Sequence, residues 1–548
     1  MLKSGFNTHN LFEMNSNKTE LSMHRTEDQK YQTNKYQKQH KDRLFLSKII
    51  VVGVLLVLQI CVIAYATWRM GTLTPYLQLT YSIVSVIVMI YIVNRKDNPA
   101  YQLAWSVLIL LFPLFGGIFY LVIAGNRSTS HFVRKMQKSI QNSYQLLPQE
   151  ADVKHALAMQ SVTAAMQSGY IEKYGPYPVY RHTEVKYYPL GDDHLEPLLR
   201  SLKGAKRFIF MEYFIIREGV FWNSVLSILE EKAAEGVDVR VLIDDFGCVA
   251  TIPPGYEKRL KEKGIQCYSF NRFIPILTLR LNNRDHRKIT VIDGHTGFTG
   301  GVNLSDEYIN VTHPYGHWKD VGVMLRGEAV WSLTVMFLQM WDYVAGITED
   351  YAQYAPRTDE IAAIQDDGFI QPYSDSPLDD EVVGENIYLN MIGHARKSVY
   401  IITPYLILDH EMITALSLAA KNGVDVRMIL PGIPDKKLTY TLTKANAEVL
   451  IEEGVRIYLY TPGFTHAKIM VADDKIATVG TVNMDFRSLY LHFECGVWMY
   501  DNSVIREISG DFKETLRKCR ELSVDEYKSL YWYQRIWRAL LRFLSPLL

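Results

Sequence analysis

Two short elements of the sequence repeat the same reactive residue types at the same spacing. The first reads His286-Arg-Lys288-Ile-Thr-Val-Ile-Asp293 and continues to Gly300-Gly301-Val-Asn303. The second reads His466-Ala-Lys468-Ile-Met-Val-Ala-Asp473 and continues to Gly480-Thr481-Val-Asn483. A single H-x-K-x-x-x-x-D match is weak evidence, whereas two matches in register with the same G-x-x-N sequel form a specific signal.

The residue types of these elements suit the transfer of a phosphodiester. One neutral imidazole can attack phosphorus, and the other can protonate the departing oxygen and later accept a proton from the incoming hydroxyl. The two lysines, with Asn303 and Asn483, can neutralise the non-bridging oxygens. This chemistry requires no metal, and the sequence offers no carboxylate cluster of the metal-ligand type.

The predicted strands KITVID and KIMVAD explain the spacing. Residues two apart on a strand share a face, so the histidine and lysine of each element point the same way. Asp293 and Asp473 have the opposite parity and precede a turn. We therefore expect these two aspartates to bind backbone amides.

A histidine used in this way needs an acceptor on its second ring nitrogen. Asp320 and Glu494 occupy matching places in the two halves, each near a Gly-Val pair. We assign each carboxylate to the histidine of its own copy. Four other histidines are expected to be structural or exposed: His295, His313, His317 and His492.

The reactive elements lie in a duplicated region. Segments 204–213 and 236–243 of the first copy match segments 394–403 and 423–430 of the second. Short β-branched runs alternate with amphipathic helical patterns of 12–18 residues, which is typical of a sheet covered by helices. The sequence therefore predicts an α/β body of two repeats, each a mixed β-sheet flanked by helices, related by a pseudo-twofold axis with the site between them.

The composition hides a strong partition along the 548 residues. The 59 Lys+Arg balance the 59 Asp+Glu, so a nucleic-acid partner, which demands a basic excess, is not expected. Five scattered cysteines without a C-x-x-C pattern indicate neither a disulfide framework nor a zinc site. No cofactor is expected.

Hydrophobic runs at 49–68, 76–93 and 100–124 predict an N-terminal helical membrane unit. The third run contains Pro113, Gly116 and Gly117, which weaken a straight helix. Basic residues follow this run, and only a re-entrant third segment places all basic clusters on the cytoplasmic side. We therefore expect two full spans, a re-entrant third segment and a cytoplasmic catalytic body.

The same partition predicts the domain boundaries. We expect a disordered polar extension (1–42), a membrane unit (43–128), a connector (129–184), a first repeat (185–350), a second repeat (355–520) and an amphipathic tail at the membrane interface (521–548). From Lys528 onwards the tail contains four basic residues, no acidic residue and several aromatic ones. Such a helix suits an anionic headgroup layer.

The paired elements resemble the phospholipase D superfamily, and within it the chain is similar to bacterial cardiolipin synthases over about residues 75–548. The similarity includes Asn98-Pro-Ala, Gly125-Asn-Arg127 and the terminal Leu544-Ser-Pro-Leu-Leu548. The added first hydrophobic run and the polar extension depart from the shortest family pattern.

The resemblance implies a multi-pass phosphatidyltransferase of the bacterial cell membrane, for which a homo-oligomer is one candidate state. Phosphatidylglycerol would form a phosphatidyl-histidine on His286, with His466 as acid and base, and a second phosphatidylglycerol would accept the group. The family motif also counts Asp293 and Asp473 with the catalytic histidines and lysines. A phospholipase D hydrolase, another phosphatidyltransferase of the superfamily and a silent membrane scaffold are the alternatives.

Overall fold

The structure is a computed structural model. It describes residues 74–95, 98–111, 130–272, 283–361, 367–379, 381–528 and 531–547, together with positions 61, 65, 120, 364 and 365. The chain forms two compact units, Met1–Leu79 and Thr80–Leu548. The predicted extension 1–42 and nearly all of the run 49–68 lie outside the described residues, as do positions 112–119 and 121–124 of the third run.

Two helices precede the α/β body, α1 (Thr74–Val93) and α2 (Pro99–Leu111). Among the described residues, no helix is both long enough and apolar enough to cross a membrane. Asn98 caps α2, because its Oδ1 accepts the N–H of Ala100 at 2.9 Å. Its Nδ2 donates to Asp409 Oδ2 at 3.0 Å and to Tyr490 Oη at 2.9 Å, which fixes the start of α2 to the second repeat.

Three helices connect these elements to the first repeat: α3 (Ser130–Ser143), α4 (Ala151–Gln160) and α5 (Val162–Tyr174). Ser161 caps α5 by accepting the N–H of Ala164 at 3.1 Å. The buried Gln167 of α5 accepts a hydrogen bond from the indole of Trp498 at 3.1 Å. The connector therefore packs against the second repeat as well as preceding the first.

Within its described residues, the first repeat contains nine strands and six α-helices. The strands are β1 (Thr183–Tyr188), β2 (Phe208–Tyr213), β3 (Asp238–Asp244), β4 (Gln266–Phe270), β5 (Arg284–Asp285), β6 (Lys288–Ile292), β7 (Thr296–Gly300), β8 (His317–Lys319) and β9 (Gly322–Gly327). The helices are α6 (Gly191–Lys203), α7 (Val220–Ala234), α8 (Asp245–Cys248), α9 (Tyr256–Glu262), α10 (Val330–Ala345) and α11 (Thr358–Ile361). Seven strands form one sheet in the order β1-β9-β7-β6-β2-β3-β4. Only β2-β3 and β3-β4 are parallel pairs in this sheet, so it is mixed.

The second repeat follows the same plan. Its strands are β10 (Phe369–Asp375), β11 (Ser398–Ile402), β12 (Leu406–Ile407), β13 (Asp425–Pro431), β14 (Arg456–Tyr460), β15 (Gly463–Thr465), β16 (Ile469–Ala472), β17 (Ile476–Gly480), β18 (Met484–Asp485), β19 (His492–Tyr500) and β20 (Cys519–Glu521). Its helices are α12 (Val383–His394), α13 (His410–Lys421), α14 (Lys437–Glu452), α15 (Phe486–Tyr490) and α16 (Val504–Leu516), and α17 (Val524–Lys528) and α18 (Trp532–Leu544) follow. The sheet order β10-β19-β17-β16-β11-β13-β14-β20 reproduces that of the first sheet and adds one edge strand. The predicted duplication is therefore present in the fold.

The two sheets share one hydrophobic core. A single cluster of buried side chains includes Phe210, Ile289 and Val323 from the first sheet and Ile469 and Val479 from the second. These strands are apolar on both faces, as expected for sheets covered on both sides. The shared core joins the repeats into one body and brings equivalent strand ends together.

Two short strands cross from one repeat to the other. β5 pairs in parallel with β19, which places Arg284 opposite His492 and Asp285 opposite Phe493. β8 pairs in parallel with β15, which places Lys319 opposite Thr465. We call these the exchange pairs, because in each of them a strand of the first repeat lies beside one of the second.

Candidate active site

His286 and His466 stand directly after one member of each exchange pair. The backbone N–H of His286 donates to the carbonyl of Phe493 at 2.9 Å, and that of His466 donates to the carbonyl of Lys319 at 2.7 Å. The two histidines are only 6% and 7% exposed. Each catalytic element is therefore fixed by backbone of the opposite repeat before its own strand, β6 or β16, begins.

The carboxylates that contact these histidines are also exchanged. His286 Nδ1 lies 2.9 Å from both carboxylate oxygens of Glu494, and His466 Nδ1 lies 2.7 Å from Asp320 Oδ2. The prediction that each carboxylate serves the histidine of its own copy is therefore wrong. The exchange pairs give the physical reason: β19 carries Glu494 alongside β5, which leads into His286, and β8 leads into Asp320 alongside the strand before His466.

The carboxylate contacts indicate which ring nitrogen is available, and Lys468 Nζ also lies 2.8 Å from His466 Nδ1. A carboxylate on Nδ1 holds the proton of a neutral imidazole there and leaves the Nε2 lone pair free. Burial, followed by the charge of Lys288, holds the pKa of His286 well below its ordinary 6.5. Burial and the charge of Lys468 lower the pKa of His466 to about 4, although Asp320 acts in the opposite direction. Both rings are therefore neutral at pH 7 without substrate.

The two lysines are buried beside the histidines. The Nζ atoms of Lys288 and Lys468 donate to the backbone carbonyls of His286 and His466, respectively. Burial lowers the pKa of Lys288 to about 8 and that of Lys468 to about 7, and the charge of Lys288 also lowers the latter. Two desolvated ammonium groups that repel one another favour the arrival of an anion such as a phosphodiester.

The two motif aspartates hold backbone. Asp293 accepts the N–H groups of Lys206, Arg207 and Phe208 at 2.7–3.0 Å. Asp473 accepts the N–H groups of residues 396–398 in the equivalent way. These contacts agree with the amide-binding role expected from the turn, and each aspartate lies at the far end of a strand from its histidine. The placement of both aspartates in the catalytic set stays a prediction.

The two asparagines differ in their contacts. Asn303 Oδ1 accepts the N–H of Ile215 at 3.0 Å, and its Nδ2 donates to Tyr308 Oη at 2.8 Å. Asn483 is 5% exposed, and its Oδ1 has no hydrogen-bond partner among the described residues. Phosphate binding by the two asparagines stays a prediction. Asn303 already uses both its amide oxygen and its amide nitrogen in hydrogen bonds, whereas the amide oxygen of Asn483 accepts none among the described residues.

Asp320 and Glu494 are accommodated by different neighbours. A side chain at Gly301 would bring its Cβ within 1.9 Å of Asp320 Oδ1, so only glycine leaves room for that carboxylate. The matching position of the second repeat is Thr481, whose hydroxyl donates to Glu494. The sequence contains a sign of this asymmetry, since Gly301 of the first motif is replaced by Thr481 in the second. Its meaning could not be inferred without knowing which carboxylate lies beside each position.

Aromatic rings that the sequence did not indicate surround both histidines. Phe214 packs edge-on against His286 with 5.0 Å between ring centroids. Tyr308 and Trp318 pack against His466 at 5.4 and 5.6 Å. These rings exclude water from the site, which strengthens each electrostatic contact within it.

The four histidines expected to be structural occupy different places. His313 is exposed, His295 Nδ1 contacts Thr296 Oγ1 at 2.9 Å, and His317 Nδ1 contacts Tyr460 Oη at 3.0 Å. His492, in contrast, lies against His286 inside the site. Among the described residues, His286, His492 and Glu494 form a group whose ligand atoms are close enough to hold a metal ion, all within 4.8 Å of one another.

Two family models match this chain. The family model described as cardiolipin synthase, PLD-like domain, matches residues 198–341 and 388–516. The model described as phospholipase D-nuclease N-terminal matches residues 83–125.

Several relatives match over most of their length. An uncharacterised protein of Streptococcus mutans is 44% identical over 439 residues, covering 79% of this chain and 94% of the relative. Cardiolipin synthase 2 of Bacillus cereus is 34% identical, covering 84% and 89%, and the cardiolipin synthase of Alkalihalophilus pseudofirmus is 32% identical, covering 88% and 95%.

A solved structure shares the fold. The phosphatidylserine synthase of Haemophilus influenzae aligns with a TM-score of 0.53 at 14% identity, covering 70% of this chain and 100% of that protein. At this identity the similarity concerns the fold alone. Membership of a family is established instead by the paired motifs, the family model and the relatives at 32–34% identity. The chain belongs to the cardiolipin synthase family of phosphatidyltransferases, within the phospholipase D superfamily.

Proposed function

We propose that this enzyme transfers the phosphatidyl group of one phosphatidylglycerol to a second one, giving cardiolipin and glycerol through a phosphatidyl-histidine intermediate. The observation that carries this proposal is the pair of buried neutral imidazoles, each with a carboxylate on Nδ1 and a buried lysine beside it. That arrangement provides a nucleophile, a proton donor and positive charge for the phosphate.

In the first step, the Nε2 lone pair of His286 forms a bond to phosphorus. The bond from phosphorus to the glycerol oxygen breaks, and that oxygen takes a proton from His466. The anionic phosphodiester and Asp320 favour the protonated form of His466 once substrate is bound. Glu494 stabilises the positive charge that develops on the ring of His286.

In the second step, the chemistry runs in reverse with a new alcohol. His466, now neutral, removes the proton of a primary hydroxyl of the second phosphatidylglycerol, and the oxygen attacks phosphorus. The bond between phosphorus and His286 Nε2 breaks and cardiolipin leaves. Lys288 and Lys468 stabilise the charge on the non-bridging oxygens in both steps, and Asn303 and Asn483 add hydrogen bonds to them.

The product formed from a single lipid tests this function. We expect the purified full-length enzyme, given only phosphatidylglycerol in detergent micelles, to release one glycerol for each cardiolipin formed. Thin-layer chromatography of labelled lipid and an enzymatic glycerol assay measure both products. The His286→Asn variant, prepared in the same way, corrects for contaminating activity. Phosphatidic acid as the main product would instead assign a hydrolase.

The pH dependence follows from the lysines and His286. Lys468 and Lys288 lose their charge as the pH rises through about 7 and about 8. His286 stays neutral well below pH 6.5, because its pKa is lowered. We therefore expect kcat/KM to decline with rising pH because His466 must take up a proton, to decline more steeply near pH 7–8 as the lysines lose their charge, and to fall on the acid side only below the ordinary histidine range.

Replacement of one lysine by arginine identifies the alkaline group. The guanidinium stays charged throughout this range, so Lys468→Arg is expected to move the alkaline fall of kcat/KM to higher pH, even if the maximum rate decreases. The exposed Lys475→Arg variant is the matched control and should leave the profile in place. An alkaline limb that does not move in Lys468→Arg would exclude this lysine as its cause.

Attachment to the membrane is part of the proposal, through two full spans, a re-entrant third run and the tail. The amphipathic tail supports it within the described residues. Leu541 of α18 is buried with Ile407, Leu442 and Phe486. Six other large apolar side chains of this region are exposed: Tyr531, Trp532, Tyr533, Ile536, Trp537 and Leu540. A helix that docks through Leu541 and the Arg538–Glu448 contact and exposes these rings suits the interface of an anionic bilayer.

A reporter at residue 130 tests the topology. Alkaline phosphatase fused after this position should be inactive, and green fluorescent protein fused there should be fluorescent, if the third run is re-entrant and residue 130 is cytoplasmic. The same fusions after residue 72, between the first two runs, should give the opposite pattern. An active phosphatase at residue 130 would instead indicate three full spans.

A further inference from the structure

His492 is a buried histidine that the proposed reaction does not use. It lies two residues before Glu494 on β19, so both side chains share one face of the strand. Its side chain is 9% exposed, yet neither ring nitrogen has a hydrogen-bond partner among the residues that the structure describes. Buried polar groups are seldom left unpaired, because their desolvation is then uncompensated. This ring therefore has two nitrogens available for a ligand.

The first repeat provides an internal comparison. The position equivalent to His492 is Trp318, two residues before Asp320. The ring of Trp318 lies 5.6 Å from that of His466 at an interplanar angle of 44°, and the ring of His492 lies 5.6 Å from that of His286 at 44°. Packing against the reactive histidine therefore requires only an aromatic ring. Packing therefore does not explain why the ring at position 492 is an imidazole with two nitrogen atoms.

The distances around His492 suit a tetrahedral metal ion. Bonds of about 2.1 Å from Zn²⁺ to nitrogen or oxygen place two ligand atoms of a tetrahedron about 3.4 Å apart. Glu494 Oε1 lies 2.9 Å from His286 Nδ1 and 3.7 Å from His492 Nδ1. The first distance is slightly shorter, and the second slightly longer, than the separation of about 3.4 Å expected in a tetrahedral site. Two imidazoles and one carboxylate leave the fourth position open.

We propose that His286, His492 and Glu494 form an inhibitory binding site for a transition-metal ion of the Zn²⁺ type. Imidazole and carboxylate ligands favour Zn²⁺ and its first-row neighbours over Mg²⁺ or Ca²⁺. The equivalent position in the other half, Trp318, offers no ligand atom. One ion is therefore expected per chain.

The inhibition follows from the tautomer of His286, and this part rests on the proposed function. An ion bound to Nδ1 of His286 replaces the proton on that nitrogen, which otherwise forms a hydrogen bond to Glu494. A neutral imidazole ligated at Nδ1 carries its remaining proton on Nε2, so the lone pair needed for attack on phosphorus is lost. The single ring proton moves from Nδ1 to Nε2 by exchange with solvent, so no net proton is released, and removal of the ion restores the original tautomer.

The test uses the full-length enzyme in detergent micelles after treatment with EDTA and removal of the chelator. Calorimetry with Zn²⁺ should show one tight site, and Co²⁺ in its place should give the intense visible absorption of a tetrahedral ion. Micromolar Zn²⁺ should suppress cardiolipin formation, and EDTA should restore it.

Two variants locate the ion. His492→Phe keeps a ring at this position, as Trp318 does in the other half. It should raise the Zn²⁺ concentration for half-inhibition by at least about tenfold, because even partners outside the ligand shell contribute that much to metal affinity. His155→Phe, at an exposed histidine of α4, should behave like the parent enzyme.

Equal inhibition of the parent and His492→Phe, or the absence of a bound ion in the calorimeter, would overturn the proposal. The calorimetric and Co²⁺ readouts do not depend on turnover. The metal-free rate of cardiolipin formation tests the proposed function separately. Failure of one proposal is therefore distinguishable from failure of the other.

Discussion

The His286→Asn variant is expected to lose cardiolipin formation by about four orders of magnitude or more, since removal of a nucleophile abolishes the covalent route. His466→Asn is expected to lose about 10²–10⁴-fold, the usual contribution of a general acid and base. His317→Asn is the matched control, because its ring contacts Tyr460 outside the site. Its rate should stay within a few fold of the parent. The measurement is initial rate with phosphatidylglycerol in micelles.

A substrate with a better leaving group separates the roles of the two histidines. The phosphatidyl ester of p-nitrophenol needs no proton for departure of the phenolate. His466→Asn should therefore release a burst of about one nitrophenolate per chain and then stop, because the intermediate forms but no base activates the next alcohol. His286→Asn should give no burst. The reverse pattern would make His466 the nucleophile.

The same substrate tests the exchange of carboxylates between the repeats. Glu494→Gln disturbs the tautomer of His286. The burst should therefore slow by about three to four orders of magnitude, as when the aspartate of a Ser-His-Asp triad is replaced by asparagine. Asp320→Asn disturbs His466 and should leave the burst nearly intact while slowing steady turnover. Asp511→Asn, at a carboxylate bound by Lys319 and Tyr187, is the control for loss of a charge nearby. If Asp320→Asn abolished the burst and Glu494→Gln preserved it, the histidines would depend on the carboxylates in the opposite way.

Much of the fold could be predicted from the sequence because the duplication is direct. Segments of matching pattern recur in the same order, and each contributes the same strand to its sheet. The motif elements were predicted as strands from their β-branched residues, and the turn after each one indicated that Asp293 and Asp473 bind amides. These inferences concern contacts within a few residues or within one repeat, where spacing determines geometry.

The carboxylate partners could not be assigned in this way. Glu494 lies 208 residues from His286 in sequence, and the exchange pairs bring the two together. The same limit applies to the ring of His492, which sequence reasoning grouped with the structural histidines. Periodicity specifies the face on which a side chain lies, but it contains no information about which strand of another repeat will lie beside it.

The exchange pairs also determine when the chain can first react with lipid. A ribosome completes His286 208 residues before it reaches Glu494. Until that point the first repeat has neither the carboxylate nor the backbone carbonyl of Phe493 that fixes its histidine. A half-synthesised chain therefore lacks both contacts that position His286, and under the proposed mechanism it gains its nucleophile only after Glu494 has been synthesised.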